Sequence, residues 1–327
     1  EELAKRFGVR RQRIAVCSTH SHSAPWLRAF SPLHISQVTA DQNKRLAQYE
    51  VELLDKLVKV VTNAVESRRP GKLEWGTTNL DFAINRRRLD GGRWAGFGAV
   101  PDGPVDHRMP LLVARDMDGH LIGLLANYAC HCTTYGGKFN QIHGDWAGSA
   151  ARQIEERHPG GLAFITIGCG GDANPDPSGQ VEGSAIVDAH GKAVADEVDR
   201  LLAADRVVLG ALPVCRLQRI DLPLDHVPSR AELEGRLKGR KRPAFYARIL
   251  LNQLDQGKSL PASFSYPVQT WTFGSDLGMV FLAGEVVVDY SLRLKRELVA
   301  ERLWVNAYAN DVPGYIASAR VIKEGGY

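Results

Sequence analysis

The sequence lacks the long apolar runs and the one-sided charge that mark several protein classes. No stretch reaches about eighteen consecutive apolar residues, so no transmembrane helix is predicted, and the basic, polar start has no signal-peptide core. Its 41 Lys and Arg residues are interspersed with 37 Asp and Glu residues, which leaves a formal charge of +4. This mixture predicts neither nucleic acid nor a membrane surface as a partner.

Cysteine is also scarce, and its spacing excludes two kinds of site. The five cysteines are an odd number without a C-x-x-C pair, which argues against a disulfide framework and a cysteine-based structural zinc site. Cys130 and Cys132 flank His131 at the end of an apolar run. On a strand, both thiols would point to one face and the imidazole to the other, so the three side chains cannot converge on one ion.

What remains is the composition of a folded domain. The 327 residues are 44% hydrophobic and 24% charged, enough for one large domain or two smaller ones. The chain begins at Glu1 and stops soon after a motif, so we expect a single catalytic domain over residues 1–327 that is a fragment truncated at both ends. Apolar runs alternate with longer helical patterns, which predicts an α/β fold: a mixed sheet core with flanking helices.

The individual elements follow from hydrophobic period and turn residues. The clearest is a helix over residues 41–67, where apolar residues recur every three or four positions until Pro70 and Gly71 stop it. Further helices are predicted at residues 146–158, before residue 203, at 229–256 and at 286–298. Strands are predicted at residues 13–19, 72–83, 110–129 with a hairpin turn at 116–119, 162–167, 266–273, 279–283 and 303–309.

Polar, titratable residues repeatedly follow the ends of the predicted strands. These clusters are Thr19 to Ser23, His131 to Thr134, Gly170 to Pro175, Gly284 with Glu285, and Asn310 to Tyr315. In open α/β sheets the ligand crevice lies outside the carboxyl ends of the strands. The five clusters therefore predict one composite site.

His20 and His22 form the sharpest local motif. Two imidazoles one residue apart can face the same cleft in an extended loop and bind zinc, although two surface histidines in a polar loop would give the same pattern. His131 on its own is equally typical of a satisfied core histidine. Asp145 is predicted as the N-cap of the helix that begins at Trp146, with added support to a metal-bound histidine.

Three further motifs have both a structural and a functional interpretation. Asp172, Asn174 and Asp176 have the spacing of a calcium loop, but Pro177 occupies the position that needs glycine, which excludes an EF-hand. We expect this glycine-rich turn to present backbone N–H groups to a substrate oxyanion. Arg86 belongs to a run of three arginines that would ordinarily be solvated, although one of them could orient a polar head group. Glu285 has the placement of an ordinary first-turn helix residue.

Taken in order, these clusters resemble the amino-terminal catalytic domain of the neutral (non-lysosomal, alkaline) ceramidases. Seven collinear motifs carry the resemblance: S-T-H-S-H-S from Ser18, I-N-R from Ile84, N-Y-A-C-H-C-T-T from Asn127, G-D-W-A-G from Gly144, G-G-D-A-N-P from Gly170, L-A-G-E from Leu282 and A-N-D-V-P-G-Y-I from Ala309.

The resemblance implies one catalytic zinc ion held by His20, His131, Glu285 and Tyr315. It implies that His22 and Arg86 contact the scissile amide and the polar head of the substrate, and the same turn places Gly171 and Asp172 among the substrate-binding residues. This chain departs from the family at Asn174, where ceramidases carry a serine taken to be catalytic. Asn174 can donate a hydrogen bond to an oxyanion but cannot act as a nucleophile.

Two functions of different class follow. The first is a zinc-dependent, ceramidase-like hydrolase that cleaves an N-acyl amide with a metal-activated water, acting on a small-molecule or lipid-like substrate. The second is a catalytically silent zinc-containing domain that binds such a ligand, and a hydrolase of an ester or a non-ceramide amide is a variant of the first. The sequence leaves the oligomeric state and compartment open, although the resemblance suggests a secreted or periplasmic protein.

Overall fold

The computed structural model describes residues 2–29, 32–180 and 185–326, and its fold is the predicted mixed α/β type. The chain divides into two compact units. We call residues 1–24, 65–218 and 268–327 the sheet unit, and residues 25–64 and 219–267 the helical unit. None of the described helices combines the length and apolar content that crossing a bilayer requires.

The elements are numbered in chain order. Helices α1 to α9 span Glu2–Phe7, Pro32–Ile35, Ala40–Glu66, Asp145–Arg157, Ala185–Ala203, Arg230–Arg236, Lys241–Asp255, Val288–Glu297 and Ala319–Glu324. Strands β1 to β14 span Gly71–Asn79, Ala83–Asp90, Arg93–Val100, Arg108–Asp116, Leu121–Tyr128, Leu162–Ile167, Ala173–Pro175, Val207–Val208, Val214–Pro223, Ser263–Phe273, Leu277–Leu282, Glu285–Val286, Leu303–Asn306 and Tyr315–Ile316. Short 3-10 helices cover Arg11–Arg13 and Ala300–Arg302.

The largest sheet has the strand order β6-β5-β4-β1-β8. Alternate residues of β4 are fully buried, namely Met109, Leu111 and Val113, which is the two-residue period of a strand with one face on a core. The hairpin predicted at residues 110–129 is confirmed as β4 and β5, which pair antiparallel. Strand β6 then pairs parallel with β5.

A second sheet has the order β13-β11-β10-β9, with β11 and β13 parallel. Its apolar residues form one core cluster with Trp75 of β1, in which Met279 and Trp304 are almost completely buried. Both parallel pairs, β5 with β6 and β11 with β13, end at polar clusters identified in the sequence. Two small sheets, β3-β2-β7 and β12-β14, connect those clusters.

The helical unit contains the helix pair α6 and α7, packed around Leu233, Ala247 and Leu251. Ser229 and Glu232 form the predicted capping box at the start of α6. The single helix predicted at residues 229–256 is wrong, because the chain breaks at residues 237–240. Pro243 explains the break: its ring would clash with the carbonyl four residues earlier inside a continuous helix, whereas the first turn of α7 tolerates it.

The strand predicted at residues 13–19 is also wrong. A 3-10 turn occupies Arg11–Arg13, and one isolated bridge joins Cys17 to Ala309. Val16 is 53% exposed, so this apolar segment lies at the edge of the core and lacks the neighbours that a full ladder needs.

Candidate functional site

Three histidines from two separate loops converge in the sheet unit. The Nε2 atoms of His20 and His22 lie 3.2 Å apart, and one ring nitrogen of each of His20, His22 and His131 lies within 4.8 Å of the others. His131 is fully buried, His20 is partly buried, and His22 reaches solvent. The structure thus brings the H-x-H motif and the histidine that follows β5 into one cluster.

Glu285 completes this cluster with a carboxylate. Its Oε2 atom lies 3.3 Å from Nε2 of His131 and 3.7 Å from Nε2 of His20. Burial by itself would raise the pKa of Glu285, but the contact with His131 and the nearby charges lower it to about 2. Glu285 is therefore ionised at neutral pH.

The tautomer of His131 is set on the other side of its ring. Nδ1 lies 2.6 Å from the carbonyl oxygen of Gly170 and 3.2 Å from that of Ala173, so it must carry the proton and donate. Burial, reinforced by the charge of Arg86, lowers the pKa of His131 to about 4. Nε2, the other ring nitrogen of His131, faces the Glu285 carboxylate at 3.3 Å and can bind a cation.

Zinc fits this donor set. Imidazole nitrogens and a carboxylate oxygen are ordinary zinc ligands, and tetrahedral donors about 2.0 to 2.1 Å from zinc are separated from each other by about 3.3 Å. The observed separations of 3.3 Å and 3.7 Å from Glu285 to the two histidines are close to that value. The hydrogen bond from Nδ1 of His131 is the kind of support that orients a metal-binding histidine.

Tyr308 holds His20 in place and was not identified in the sequence. Its ring stacks on that of His20 with the centroids 4.7 Å apart, and its carbonyl accepts a hydrogen bond from the N–H of Ser18. His20 has a positive φ of 56°, a conformation uncommon for a side-chain-bearing residue, so its orientation depends on such contacts. The buried Tyr308 hydroxyl has no hydrogen-bond partner among the described residues.

Tyr315 joins the site through its backbone. It pairs with Glu285 in the parallel β12 and β14 register, which puts the two side chains on the same face. Burial and the charge of Asp172 raise the pKa of Tyr315 to about 12.

A second group of polar residues lies beside the histidines. One guanidinium nitrogen of Arg86 donates to the carbonyl of Gly171 at 2.7 Å and another donates to Oδ1 of Asn174 at 3.2 Å. The Thr133 hydroxyl donates to the same Oδ1 atom at 3.3 Å. Because the oxygen accepts both bonds, the amide nitrogen of Asn174 remains a donor. Arg86 also lies 3.9 Å from the Glu285 carboxylate and 5.0 Å from the ring of Phe97, which is 48% exposed.

Asp172 supports this group from inside the protein. Its side chain is fully buried, with Oδ1 accepting from the N–H of Val288 at 2.8 Å and Oδ2 accepting from Arg320 at 3.2 Å. Its backbone carbonyl accepts from the N–H of Arg86. These contacts give Asp172 the role of fixing the turn.

Position 171 requires glycine, because the backbone of Glu285 and Val286 lies very close to it. A Cβ atom there would lie 2.8 Å from the carbonyl oxygen of Glu285 and 2.9 Å from that of Val286. The N–H of Gly171 donates to the Val286 carbonyl at 2.9 Å. The turn that carries Asn174 is thus held directly against the strand that carries Glu285.

The prediction that Asp145 caps α4 is wrong. Gly144 occupies the N-cap position, and the Asp145 carboxylate instead accepts the N–H groups of Thr134 and Tyr135 at 3.1 Å and 3.0 Å. Those residues follow His131, so Asp145 fixes the loop behind a histidine of the cluster. The thiols of Cys130 and Cys132 are buried in the core, which raises their pKa values well above the ordinary range.

Comparison with known proteins bears on this site. The amino-terminal model of the neutral/alkaline non-lysosomal ceramidases matches residues 1–165, which is half of the chain. The chain belongs to this family. A search of curated proteins finds no match.

Two solved ceramidases have a similar fold. Neutral ceramidase from Pseudomonas aeruginosa superposes with a TM-score of 0.68 at 19% identity, covering 97% of this chain and 57% of the other. A ceramidase complexed with C2 superposes with a TM-score of 0.70 at 16% identity, covering 97% of this chain and 58% of the other. The chain therefore spans somewhat more than half the length of these proteins. At these identities the two structures establish the fold of this chain.

Proposed function

We propose that this protein is a zinc-dependent hydrolase that cleaves an N-acyl amide bond of a lipid-like substrate. The observation that carries the proposal is the convergence of Nε2 of His131 and Nε2 of His20 on the Glu285 carboxylate, at 3.3 Å and 3.7 Å. Two imidazoles and a carboxylate at these separations form a donor set that suits zinc. Family membership supplies the class of reaction.

His20, His131, Glu285 and Tyr315 are the proposed zinc ligands. When bound there, zinc would supply a Lewis acid that polarises a carbonyl and lowers the pKa of water to about 7. The protein contributes a rigid set of donors, because the Gly170 carbonyl orients His131 and the Tyr308 ring orients His20.

His22 is the proposed proton carrier. Its Nε2 atom lies 3.2 Å from that of His20, at the edge of the cluster that solvent reaches. Desolvation by the surrounding protein lowers the pKa of His22, so the ring is a free base at neutral pH. It can accept a proton from the attacking water and return it to the leaving nitrogen.

Asn174 and Arg86 are proposed to handle the substrate. The backbone N–H groups of Gly170, Gly171 and Ala173 donate to carbonyls of the protein, so the Asn174 amide nitrogen is the donor that would stabilise the tetrahedral oxyanion. Arg86, fixed by its bond to the Gly171 carbonyl and packed against Phe97, would orient the polar end of the substrate. Hydrolysis by water needs no serine at position 174.

The direct test is metal analysis of the purified protein with two single variants, His20→Ala and His131→Ala. We expect about one zinc per wild-type chain, which is lost in both variants together with amide hydrolysis. His226→Ala is the matched control, because His226 is an exposed histidine of the helical unit that pairs with Glu232. Unchanged zinc content in both site variants would refute the proposal.

Asn174 also motivates the competing function, a zinc-containing domain that binds its ligand without cleaving it. A panel of ceramides, N-acyl amino acids, other N-acyl amides and the corresponding esters separates the two. Turnover of any member that stops on chelation eliminates the silent domain, and the preferred member distinguishes an amidase from an esterase.

A further inference from the structure

The positive charge of the protein is concentrated in the helical unit. Its residues, 25–64 and 219–267, include fourteen Lys and Arg against nine Asp and Glu, a formal charge of +5. The sheet unit has the remaining twenty-seven basic and twenty-eight acidic residues, a charge of −1. The unit without the histidine cluster thus accounts for the net charge of the chain.

Within this unit, one exposed segment is strongly basic. Residues 236–242, which join α6 to α7, contain Arg236, Lys238, Arg240, Lys241 and Arg242 and no acidic residue. Among the described residues, no carboxylate lies within ion-pair distance of these five cations, and Lys241 bonds only to Gln37. Three of them occupy the N-terminus of α7, where the helix dipole disfavours cations. Local folding therefore does not explain this charge.

An exposed apolar surface lies in the same unit. Leu27, Leu53, Leu54 and Leu57 line an open groove of about 600 Å³ between residues 27–29 and α3. Leu54 is 62% exposed and the neighbouring Trp26 is 46% exposed. Leucine and tryptophan side chains of this size ordinarily pack inside a protein or against a partner.

A series of side-chain and backbone contacts connects the apolar surface to the basic segment. The Trp26 ring lies 4.8 Å from that of His34, the N–H of Gln37 donates to the His34 carbonyl, and Lys241 donates to the Gln37 side chain at 3.3 Å. The aromatic residue and the cations thus belong to one continuous surface of the helical unit.

We propose that this surface docks on a bilayer that contains anionic lipid. The basic segment would lie against the lipid head groups, while Trp26, Leu27 and Leu54 enter the interface between head groups and acyl chains. Phosphate groups alone would also attract the cations, but they offer nothing to the exposed leucines. The combination of cations and apolar side chains therefore favours a lipid surface over RNA.

The experiment measures co-sedimentation of the full chain with phosphatidylcholine vesicles made with and without phosphatidylglycerol. We expect binding only when phosphatidylglycerol is present, and weaker binding as salt is raised. In the triple variant Arg240→Glu, Lys241→Glu, Arg242→Glu, binding should fall on the order of a hundredfold, because each Lys or Arg near an anionic surface contributes about a factor of five. The variant should fold, since acidic residues suit a helix N-terminus.

The matched control is Arg68→Glu, Arg69→Glu, Lys72→Glu, which makes the same charge change on an exposed segment of the sheet unit. It should bind within about threefold of wild type, because it leaves the basic segment at residues 236–242 unchanged. Trp26→Ser should lose the binding that persists at high salt.

Several results would overturn the proposal. These are equal binding to vesicles without phosphatidylglycerol, no vesicle binding at all, equal losses in both triple variants, or tighter binding to a polyuridine oligonucleotide than to the vesicles. His20→Ala should bind vesicles like wild type, so failure of the zinc site and failure of the docking surface are distinguishable.

Discussion

The two sides of the candidate site are held together by different kinds of contact. On the substrate side, which comprises Arg86, Thr133, Gly171 and Asn174, Arg86 and Thr133 donate to acceptors on Gly171 and Asn174. On the metal side, which comprises His20, His131 and Glu285, two imidazoles converge on one carboxylate, at 3.3 Å and 3.7 Å. The substrate side is therefore built from hydrogen bonds to neutral acceptors, whereas the metal side is a cluster of titratable groups that is suited to hold a cation.

The largest effect on the metal side is expected from the substitution Glu285→Gln. The amide carries no negative charge and is a weaker zinc ligand than the carboxylate. We expect zinc affinity to fall by at least about a hundredfold. The unfolding free energy in chelator should fall by about 1 kcal/mol or more at neutral pH, because the contacts that lower the pKa of Glu285 to about 2 also stabilise the folded state.

Zinc titration and chemical unfolding in chelator check this prediction. Glu297→Gln is the control, since Glu297 forms an exposed pair with Arg293 on α8. Wild-type zinc affinity in Glu285→Gln would show that the metal side does not need the carboxylate.

On the substrate side, Asn174→Ala should reduce kcat/KM while zinc content stays at the wild-type level. Removing one oxyanion donor typically costs about a hundredfold to a thousandfold in rate. Steady-state kinetics with the preferred amide, alongside metal analysis, measures both quantities. Asn174→Ser tests whether the residue typical of the family improves on this chain, and loss of zinc in either variant would contradict the separation of the two sides.

Acid should weaken the zinc-free protein through its metal side. Unfolded His131 binds a proton near pH 6.5, whereas the folded residue does so only near pH 4, because burial and Arg86 lower its pKa. Between these values the unfolded chain holds more protons, so stability falls as pH falls, by up to about 1.4 kcal/mol per pH unit for this residue.

Unfolding of the zinc-free protein from pH 8 to pH 4.5 measures this slope. The variant His131→Gln should show a shallower slope than wild type. Equal slopes in wild type and His131→Gln would mean that His131 titrates alike in both states.

The smallest effect concerns the buried Tyr308 hydroxyl, which has no hydrogen-bond partner in the part of the chain that the structure describes. Tyr308→Phe keeps the ring that stacks on His20 and removes the buried hydroxyl, so the zinc-free protein should gain about 1 kcal/mol. Tyr308→Leu should instead weaken zinc binding, because it removes the stacking. A loss of stability in Tyr308→Phe would show that the hydroxyl has a favourable contact in solution.

Much of the fold was predictable from local patterns. The strand at residues 162–167 and the hairpin around residues 116–119 formed as predicted, since each has its own period and turn residues. The irregular structure of residues 13–19 was not predictable, because the apolar residues of this segment do not indicate how many strands will lie beside it.

The candidate site was predictable to a similar degree. Polar clusters after strands led to the histidines and Glu285, whereas Tyr308 reads as an ordinary residue at the end of a buried strand. The positive charge of the helical unit could not be recognised from the sequence for another reason. The unit is built from two segments that lie far apart in sequence, so its excess of basic over acidic residues is not visible as one basic stretch.

Gly171 limits how this protein can change its substrate. Its backbone touches the strand of Glu285 so closely that a methyl group does not fit, and a movement of the Asn174 turn would displace the carboxylate. We therefore expect substitutions that alter specificity to occur in segments that contact the substrate side alone, such as the β2–β3 hairpin that carries Phe97. A library directed at that hairpin can retain the proposed zinc site, whereas one directed at residues 170–175 selects first for variants in which Glu285 keeps its position.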